Sequence, residues 1–513
     1  MNNKFSRRDF LKLMGVLPLS AIAPRFEKLI YPLQQGGKSQ NVLIVVFDAF
    51  SASDISLYGY RRLTTPNMER LAERAIVYHN HHSGGNFTTP GTSSLLTGTL
   101  PWTHRAFSHN AGVVESFFNK NIFSAFQDYY SLTYTHNPWV TTILKQFRKH
   151  IDEYVKRNHL FLNSDFFVPA LFEEDEDISM VSWQRVMQLT DDNYAYSLFL
   201  PRLYENFDRE RNAEFARLKK RFPRGVPAVS ADNYFLLETA IDWFTEKVSS
   251  LPQPFLSYLH FLPPHDPYSP SREFFGRFKD DNWVPEPKPI DALQFFTNDK
   301  FENASNQRMK YDEFILYVDR EFGRLFDYLE NSGLLNDTWV ILTSDHGETF
   351  ERGVIGHQTP LLYEPLVHIP LMIFEPGRKT RLDVYSPTSA VDILPTLLYL
   401  TGQQPADWTE GMVLPPFSVS YPGDTRSVFT LEARTNDKFG PLKVATLAMI
   451  KGNYKLVYFL GYAELTGEER IELYDLESDS EEMNDLSSSK RETTDEMLNE
   501  LKKKLAEKNK PYL

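Results

Sequence analysis

The chain has 513 residues, of which 42% are hydrophobic and 24% charged, so its composition excludes a wholly disordered protein. Its 68 acidic residues outnumber the 55 lysines and arginines and leave a formal charge of −13, which argues against a nucleic-acid partner because phosphate backbones bind to basic faces. The absence of cysteine excludes disulfides, thiolate metal sites and cysteine nucleophiles.

Residues 1–36 are predicted to be an export signal and a linker. Arg7 and Arg8 precede a short apolar stretch at residues 13–23, which is the pattern of a twin-arginine signal; a basic amphipathic first helix is the alternative. Gly15 and Pro18 interrupt this stretch, which is too short to span a bilayer. The pattern predicts export by the twin-arginine translocation machinery to the periplasm or the extracellular space, and an uncleaved signal would anchor the chain to the membrane.

Strands and helices alternate through the next part of the chain. Continuous apolar runs at residues 42–47, 255–261 and 339–342 are typical of buried parallel strands. Apolar residues spaced by three or four predict helices over residues 232–248 and 314–329. This alternation predicts an α/β fold with a mostly parallel central sheet flanked by helices.

The rest of the chain is predicted to add two features to this main domain at residues 37–402. Residues 105–230 are expected to form a mostly helical insertion, in which a basic cluster including Arg224 is interpreted as a solvated face. Residues 403–513 are expected to form a C-terminal subdomain. It would contain a small antiparallel sheet and a charged surface helix at residues 493–508.

A short helix is predicted to follow Thr88. Pro90 suits the first turn of a helix and Gly98 suits its end, so Thr88 would lie just ahead of the first turn. Backbone N–H groups and the positive helix end favour an anionic ligand such as phosphate or sulfate at that position. An ordinary threonine cap is the structural alternative.

Polar residues capable of metal binding follow two of the predicted strands. Asp48 ends the first strand, and Asp345 and His346 follow the third, with Glu348 and His357 further along. These side chains are candidates for one site, because open α/β sheets bind ligands beyond the carboxyl ends of their strands. Carboxylates with imidazole suit a divalent ion, whereas a helix cap at Asp48 and an ion pair at Asp345 are the alternatives.

Together these motifs resemble the sulfatase-like family of the alkaline phosphatase superfamily over most of residues 40–490. The matching segments, in chain order, are Thr65-Pro66-Asn67, Thr88-Thr89-Pro90-Gly91-Thr92, Leu95-Leu96-Thr97-Gly98, His265-Asp266-Pro267-Tyr268, Thr343-Ser344-Asp345-His346-Gly347-Glu348 and Asp392-Ile393-Leu394-Pro395-Thr396. The resemblance implies an alkaline-phosphatase-like central sheet and a small C-terminal α+β subdomain with a short antiparallel sheet.

The chain departs from the sulfatase pattern at positions that act on sulfate. Thr88 stands where the family has a cysteine or serine that is oxidised to formylglycine, and threonine cannot form that aldehyde. Thr92 replaces the motif arginine, and Ala49 replaces the second acid. The lysine expected near Thr359 is missing, and residues 136–139 lack the usual Gly-Lys-Trp-His. These departures favour relatives that use an unmodified threonine.

The resemblance therefore implies an exported, metal-dependent hydrolase or phosphotransferase acting on phosphate esters. Thr88 would be the nucleophile, and the metal ligands would be Asp48, Thr88, Asp345 and His346. The ion would be Mn²⁺, Zn²⁺ or Mg²⁺ rather than Ca²⁺, with one or two ions bound. The substrate would be a small-molecule, lipid or glycan ester.

Histidines are the expected proton donors, because imidazole titrates near neutral pH. His265, together with His260 or His357, would protonate the leaving oxygen, whereas turn-stabilising hydrogen bonds are the alternative for His260 and His265. Two other functions remain open from the sequence: a sulfuric ester hydrolase that works without formylglycine, and a non-catalytic binding protein of the same fold.

Overall fold

A computed structural model describes residues 40–108, 112–162, 213–229, 233–291, 293, 304–465 and 469–513. Its strands are β1 (Asn41–Asp48), β2 (Ile76–Tyr78), β3 (His81–His82), β4 (Tyr130–Thr135), β5 (Glu153–Tyr154), β6 (Phe255–Pro264), β7 (Thr338–Thr343), β8 (Phe350–Glu351), β9 (Val354–Ile355), β10 (Leu371–Phe374), β11 (Leu382–Val384), β12 (Thr388–Ser389), β13 (Ser427–Glu432), β14 (Ala445–Lys451), β15 (Tyr454–Leu460) and β16 (Arg470–Asp475).

The α-helices follow the same alternation. They are α1 (Pro66–Ala72), α2 (Thr88–Thr97), α3 (Pro101–His104), α4 (Ile122–Ala125), α5 (Pro138–Phe147), α6 (Ala213–Arg221), α7 (Leu237–Val248), α8 (Ala304–Asn331), α9 (Glu364–Val367), α10 (Ile393–Leu400) and α11 (Arg491–Asn509). The described part of the chain contains no helix long and apolar enough to cross a membrane.

Among the described residues, eight strands form a central sheet in the order β11-β2-β10-β7-β1-β6-β4-β5. β10 runs antiparallel to both of its neighbours, and the other adjacent strands are parallel. β1 lies between β7 and β6, with Val46 opposite both His260 and Thr343. The predicted α/β fold with a mostly parallel sheet is confirmed.

Both faces of β1 are buried, which explains its uninterrupted apolar sequence. Leu43, Val45 and Phe47 face a core that contains residues of α7 and α8. Val42, Ile44 and Val46 alternate with them and face a second core that contains residues of α2, α5 and α10. Helices on both sides therefore exclude water from the sheet, so its polar residues gather at the strand ends.

A second sheet of four antiparallel strands, in the order β13-β14-β15-β16, lies in the C-terminal part of the chain. Its apolar side packs against α11, where Met497 and Leu501 join Leu456 and Leu473 in one core. This confirms the expected short antiparallel sheet and places the predicted tail helix against it.

The prediction for residues 105–230 was wrong in part. β4 and β5 come from this region and belong to the central sheet, with β4 paired in parallel to β6. Their runs were missed because residues 130–135 mix tyrosine, serine and threonine with leucine and so lack a continuous apolar signal. Residues 163–212 of this region, and the predicted signal at residues 1–36, lie outside the described residues.

Candidate active site

Four polar side chains meet at the carboxyl edge of the central sheet. Asp48 is the last residue of β1, His260 lies within β6, and Asp345 and His346 follow β7. The pairing of β1 with β6 shifts register between Phe47 and Asp48, which marks the point where β1 leaves the ladder. All four side chains are buried, and we call them the strand-end cluster.

The atoms of the strand-end cluster lie close enough to share one ion. Asp48 Oδ2 is 3.3 Å from His260 Nε2, and Asp48 Oδ1 is 3.4 Å from His346 Nε2. Asp345 Oδ2 is 3.7 Å from both imidazole nitrogens. Ligand atoms of Asp48, His260 and Asp345 all lie within 4.8 Å of one another. Two carboxylates and imidazole nitrogen are a donor set that divalent ions accept.

The electrostatics of the cluster fit a bound cation. Asp48 Oδ1 is buried and accepts no hydrogen bond from the described residues. Burial would raise the pKa of Asp48, but the neighbouring His260 and His346 hold it well below its ordinary value. Burial and the charge of Asp48 together raise the pKa of Asp345. Two adjacent buried carboxylates with an unfilled acceptor are what a metal ion would neutralise.

Thr88 faces the cluster from the start of α2. Its Oγ1 lies 3.4 Å from His346 Nε2, and only 3% of the residue is exposed. We predicted Thr88 just ahead of the helix; it is instead the first helical residue, and Phe87 is the N-cap with a φ of +58°. A positive φ is uncommon for a residue other than glycine. Here Asn86 holds the backbone of Phe87, because its Oδ1 accepts a hydrogen bond from Phe87 N.

Gly91 explains how closely α2 approaches the end of β7. A Cβ atom at this position would lie 2.2 Å from the backbone oxygen of Asp345, so a side chain does not fit. Thr92, the next residue of the helix, donates a hydrogen bond from Oγ1 to Asp345 Oδ2 at 3.5 Å. Gly91 therefore allows the start of the helix, with Thr88, to approach the cluster.

His357 and His265 form a row of imidazoles leading away from the cluster. Ring centroids are 4.4 Å apart between His346 and His357 and 4.8 Å apart between His357 and His265. His357 Nδ1 lies 3.0 Å from Glu348 Oε1. The sequence analysis placed His346, His357 and His265 near the site, and the structure brings these three side chains together.

The two outer histidines differ in charge. Burial lowers the pKa of His265, but Asp266, Asp48 and Glu348 raise it to about 9, so this side chain is protonated at neutral pH. Burial, together with the positive charge of its histidine neighbours, lowers the pKa of His357 well below its ordinary value. His265 is therefore the better candidate for a general acid.

His260 lies where a metal ligand would lie rather than beside a leaving group. Its Nε2 faces the carboxylates of Asp48 and Asp345, and its Nδ1 is 2.9 Å from the hydroxyl of Tyr258. A hydrogen bond to the second ring nitrogen is how proteins orient histidine ligands. The proton-transfer role that we expected for His260 thus has less geometric support than a ligand role.

Two contributors to the site were missed by the sequence analysis. Asn137 donates a hydrogen bond from Nδ2 to Asp48 Oδ2, and Tyr258 contacts His260 as described above. Asn137 follows the end of β4, the neighbour of β6 in the sheet. The signal would have been the same as for Asp48, a polar residue just past a strand, but β4 itself was not recognised.

Comparisons with family models and with known proteins point to the same family. The sulfatase family model matches residues 40–403. The choline-sulfatase of Rhizobium meliloti is 25% identical over 478 residues, which cover 89% of this chain and 84% of that protein.

Solved structures share the fold. The phosphonate monoester hydrolase of Agrobacterium radiobacter superposes with a TM-score of 0.65 and 19% identity, covering 92% of this chain and 96% of that one. A protein solved in complex with its substrate D-glucosamine-2-N,6-O-disulfate gives a TM-score of 0.63 and 15% identity, covering 92% and 99%. At these identities the likeness concerns the fold alone.

Proposed function

Because the chain belongs to the sulfatase family, we propose that it is an exported, metal-dependent hydrolase of phosphate esters that uses Thr88 as its nucleophile. The observation that carries this proposal is the position of Thr88 Oγ1, 3.4 Å from His346 and facing the strand-end cluster. A non-catalytic binding protein of this fold has no reason to keep a buried hydroxyl beside two carboxylates and two imidazoles.

The choice of phosphate over sulfate rests on the residues at the start of α2. Family sulfatases attack sulfur with the hydrated aldehyde of formylglycine, whereas Thr88 carries a methyl group on Cβ and offers only its hydroxyl. Thr92 occupies the position of the motif arginine and bonds to Asp345. An unmodified hydroxyl is the nucleophile of phosphoryl transfer in relatives with this pattern.

The chain's own residues divide the reaction between them. Asp48, His260, Asp345 and His346 would hold the ion, which when bound supplies positive charge that favours an ionised hydroxyl and offsets charge on the ester oxygens. Thr88 passes its proton to a water molecule, its Oγ1 bonds to phosphorus, and the bond from phosphorus to the leaving oxygen breaks. His265 donates a proton to that oxygen. Water then cleaves the phosphothreonine, releases phosphate and restores Thr88.

A hydrolysis screen tests the proposal. Purified protein loaded in turn with Mn²⁺, Zn²⁺ and Mg²⁺ is assayed on 4-nitrophenyl phosphate, bis(4-nitrophenyl) phosphate and 4-nitrophenyl sulfate, with phosphate and sulfate measured separately. We expect a phosphate ester to be hydrolysed with the highest kcat/KM. Faster release of sulfate would instead support the second candidate, a sulfuric ester hydrolase, which the overall likeness to choline-sulfatase favours.

Export is part of the proposal and has its own test. The double substitution Arg7→Lys with Arg8→Lys keeps both charges but removes the paired arginines, which are read by a receptor. The variant should accumulate in the cytoplasm, as judged by cell fractionation. Normal export of the variant would exclude the twin-arginine route.

A further inference from the structure

A cavity of about 450 Å³ opens beside the proposed active site. His357 forms part of its wall, and the ring of His357 lies 4.4 Å from that of His346 in the strand-end cluster. Asp266, the neighbour of the proposed acid His265, lines the same cavity. The cavity therefore has in its wall one member of the row of imidazoles that leads from the strand-end cluster.

Two cationic side chains line the cavity. The guanidinium of Arg224 pairs through Nη2 with Glu313, while its Nη1 is buried and has no hydrogen-bond partner among the described residues. Lys310, on α8, also lines the cavity, and no ion pair or hydrogen bond joins its ammonium to the described residues. Lys310 thus brings to the cavity wall an ammonium that no described acid pairs with, and Arg224 adds a positive charge beside it.

The charges around the cavity do not cancel. Glu313 is already paired with Arg224, and Asp266 lies 3.1 Å from His265 Nδ1, so each acid has its own cation. Lys310 is left as an excess positive charge. Burial and the like charge of Arg224 both lower the pKa of Lys310, against the attraction of Glu313. An anion in the cavity would relieve this repulsion.

We propose that Arg224 and Lys310 bind a second anionic group of the substrate, a carboxylate, phosphate or sulfate that is not the one being hydrolysed. The inference rests on the proposed function and adds the substrate class, esters that carry a further negative charge on the non-reacting part. Arg224 supplies a positive charge held in place by Glu313, and Lys310 supplies a mobile point charge. Together they would select polyanionic esters over singly anionic ones.

Steady-state kinetics of Lys310→Gln test this subsite. The two substrates are 4-nitrophenyl phosphate and its ring-carboxylated derivative, so that only one carries the second charge. We expect the substitution to raise KM for the carboxylated ester about tenfold, to leave KM for the other within about twofold, and to leave both kcat values unchanged. Lys503→Gln, an exposed lysine on α11, is the matched control and should change neither. Equal effects on the two esters would overturn the subsite.

Calorimetry separates failure of the subsite from failure of the proposed reaction. Phenylphosphonate and 4-carboxyphenylphosphonate contain no ester, so their Kd values are measured without turnover. The parent protein should bind the carboxylated probe about tenfold more tightly, and Lys310→Gln should lose that preference. Equal Kd values in the parent would overturn the subsite. A preference that depends on Lys310 in a protein that hydrolyses no phosphate ester would support the subsite and overturn the proposed function.

Discussion

Two buried clusters of this protein each hold a pair of carboxylates, and they differ in what neutralises them. In the C-terminal part, the ammonium of Lys455 lies 2.9 Å from Glu364 and 2.8 Å from Glu482. We call these three residues the lysine-centred cluster. In the strand-end cluster, Asp48 and Asp345 have imidazoles beside them at 3.3–3.7 Å, and no lysine or arginine of the described residues pairs with them.

The difference separates a structural cluster from a functional one. Lys455 is fully buried, and although burial lowers the pKa of an ammonium, Glu364 and Glu482 raise that of Lys455, so its charge is permanent. The lysine-centred cluster holds its own cation, so its carboxylates are neutralised within the protein. The carboxylates of the strand-end cluster have only imidazoles beside them among the described residues, an arrangement that fits a metal site.

Removal of the metal should give the largest effect. Dialysis against a chelator should abolish hydrolysis and lower Tm, because Asp48 and Asp345 would then repel each other in a buried site. Elemental analysis and calorimetry of the same sample measure both. Re-addition of the lost ion should restore activity and Tm. An unchanged Tm in protein that never contained metal would contradict the metal assignment.

The lysine-centred cluster should respond to mutation and not to chelation. Lys455→Met leaves two buried carboxylates without a cation and should lower the free energy of unfolding by about 3–5 kcal/mol. Denaturant unfolding measures this, with Lys503→Met as an exposed control expected to change it by less than about 0.5 kcal/mol. Activity per folded molecule should stay at the parent value. A loss of metal in Lys455→Met would show that the two clusters are not independent.

His265→Gln should slow turnover in a way that depends on the leaving group. Phenyl phosphate needs a proton on its leaving oxygen and should lose about 10²-fold in kcat, whereas 4-nitrophenyl phosphate should lose much less. Since the acid must be protonated, the parent's rate on phenyl phosphate should fall as the pH rises through about 9, the pKa of His265, and this limb should vanish in the variant. His150→Gln, at an exposed histidine, serves as the control. Equal losses on both esters would exclude His265 as the acid.

The sequence alone was sufficient to predict the candidate site residues that lie at strand ends. Asp48, Asp345 and His346 were predicted together because buried strands have continuous apolar runs, and the residue after such a run lies at the edge of the sheet. Asn137 obeys the same rule but follows β4, whose mixed polar sequence hides the strand. The residues at strand ends were therefore predictable only as far as their strands were, whereas Thr88 was predicted from the helix-start pattern and the family motif.

The cavity beside His357 shows a second limit on what the sequence alone could predict. Arg224 was interpreted as part of a solvated basic face, and the structure instead pairs it with Glu313, 89 residues later on α8. No local spacing relates these two residues, because their contact depends on how the connecting segments fold. The surroundings of His260 were not predictable for a similar reason: its residue type was visible, but which group its Nε2 faces depends on the register of β6 against β1.

The covalent role of Thr88 is tested most directly by the kcat of Thr88→Ala and Thr88→Ser on 4-nitrophenyl phosphate and 4-nitrophenyl sulfate, in metal-loaded protein of matched Tm. The account predicts that the alanine variant loses about 10³-fold or more on the phosphate ester, because the attacking atom is gone. The serine variant should keep measurable activity, since it retains the hydroxyl, and Thr89→Ala should stay close to the parent. Hydrolysis of the phosphate ester by Thr88→Ala at the parent's rate would contradict the account.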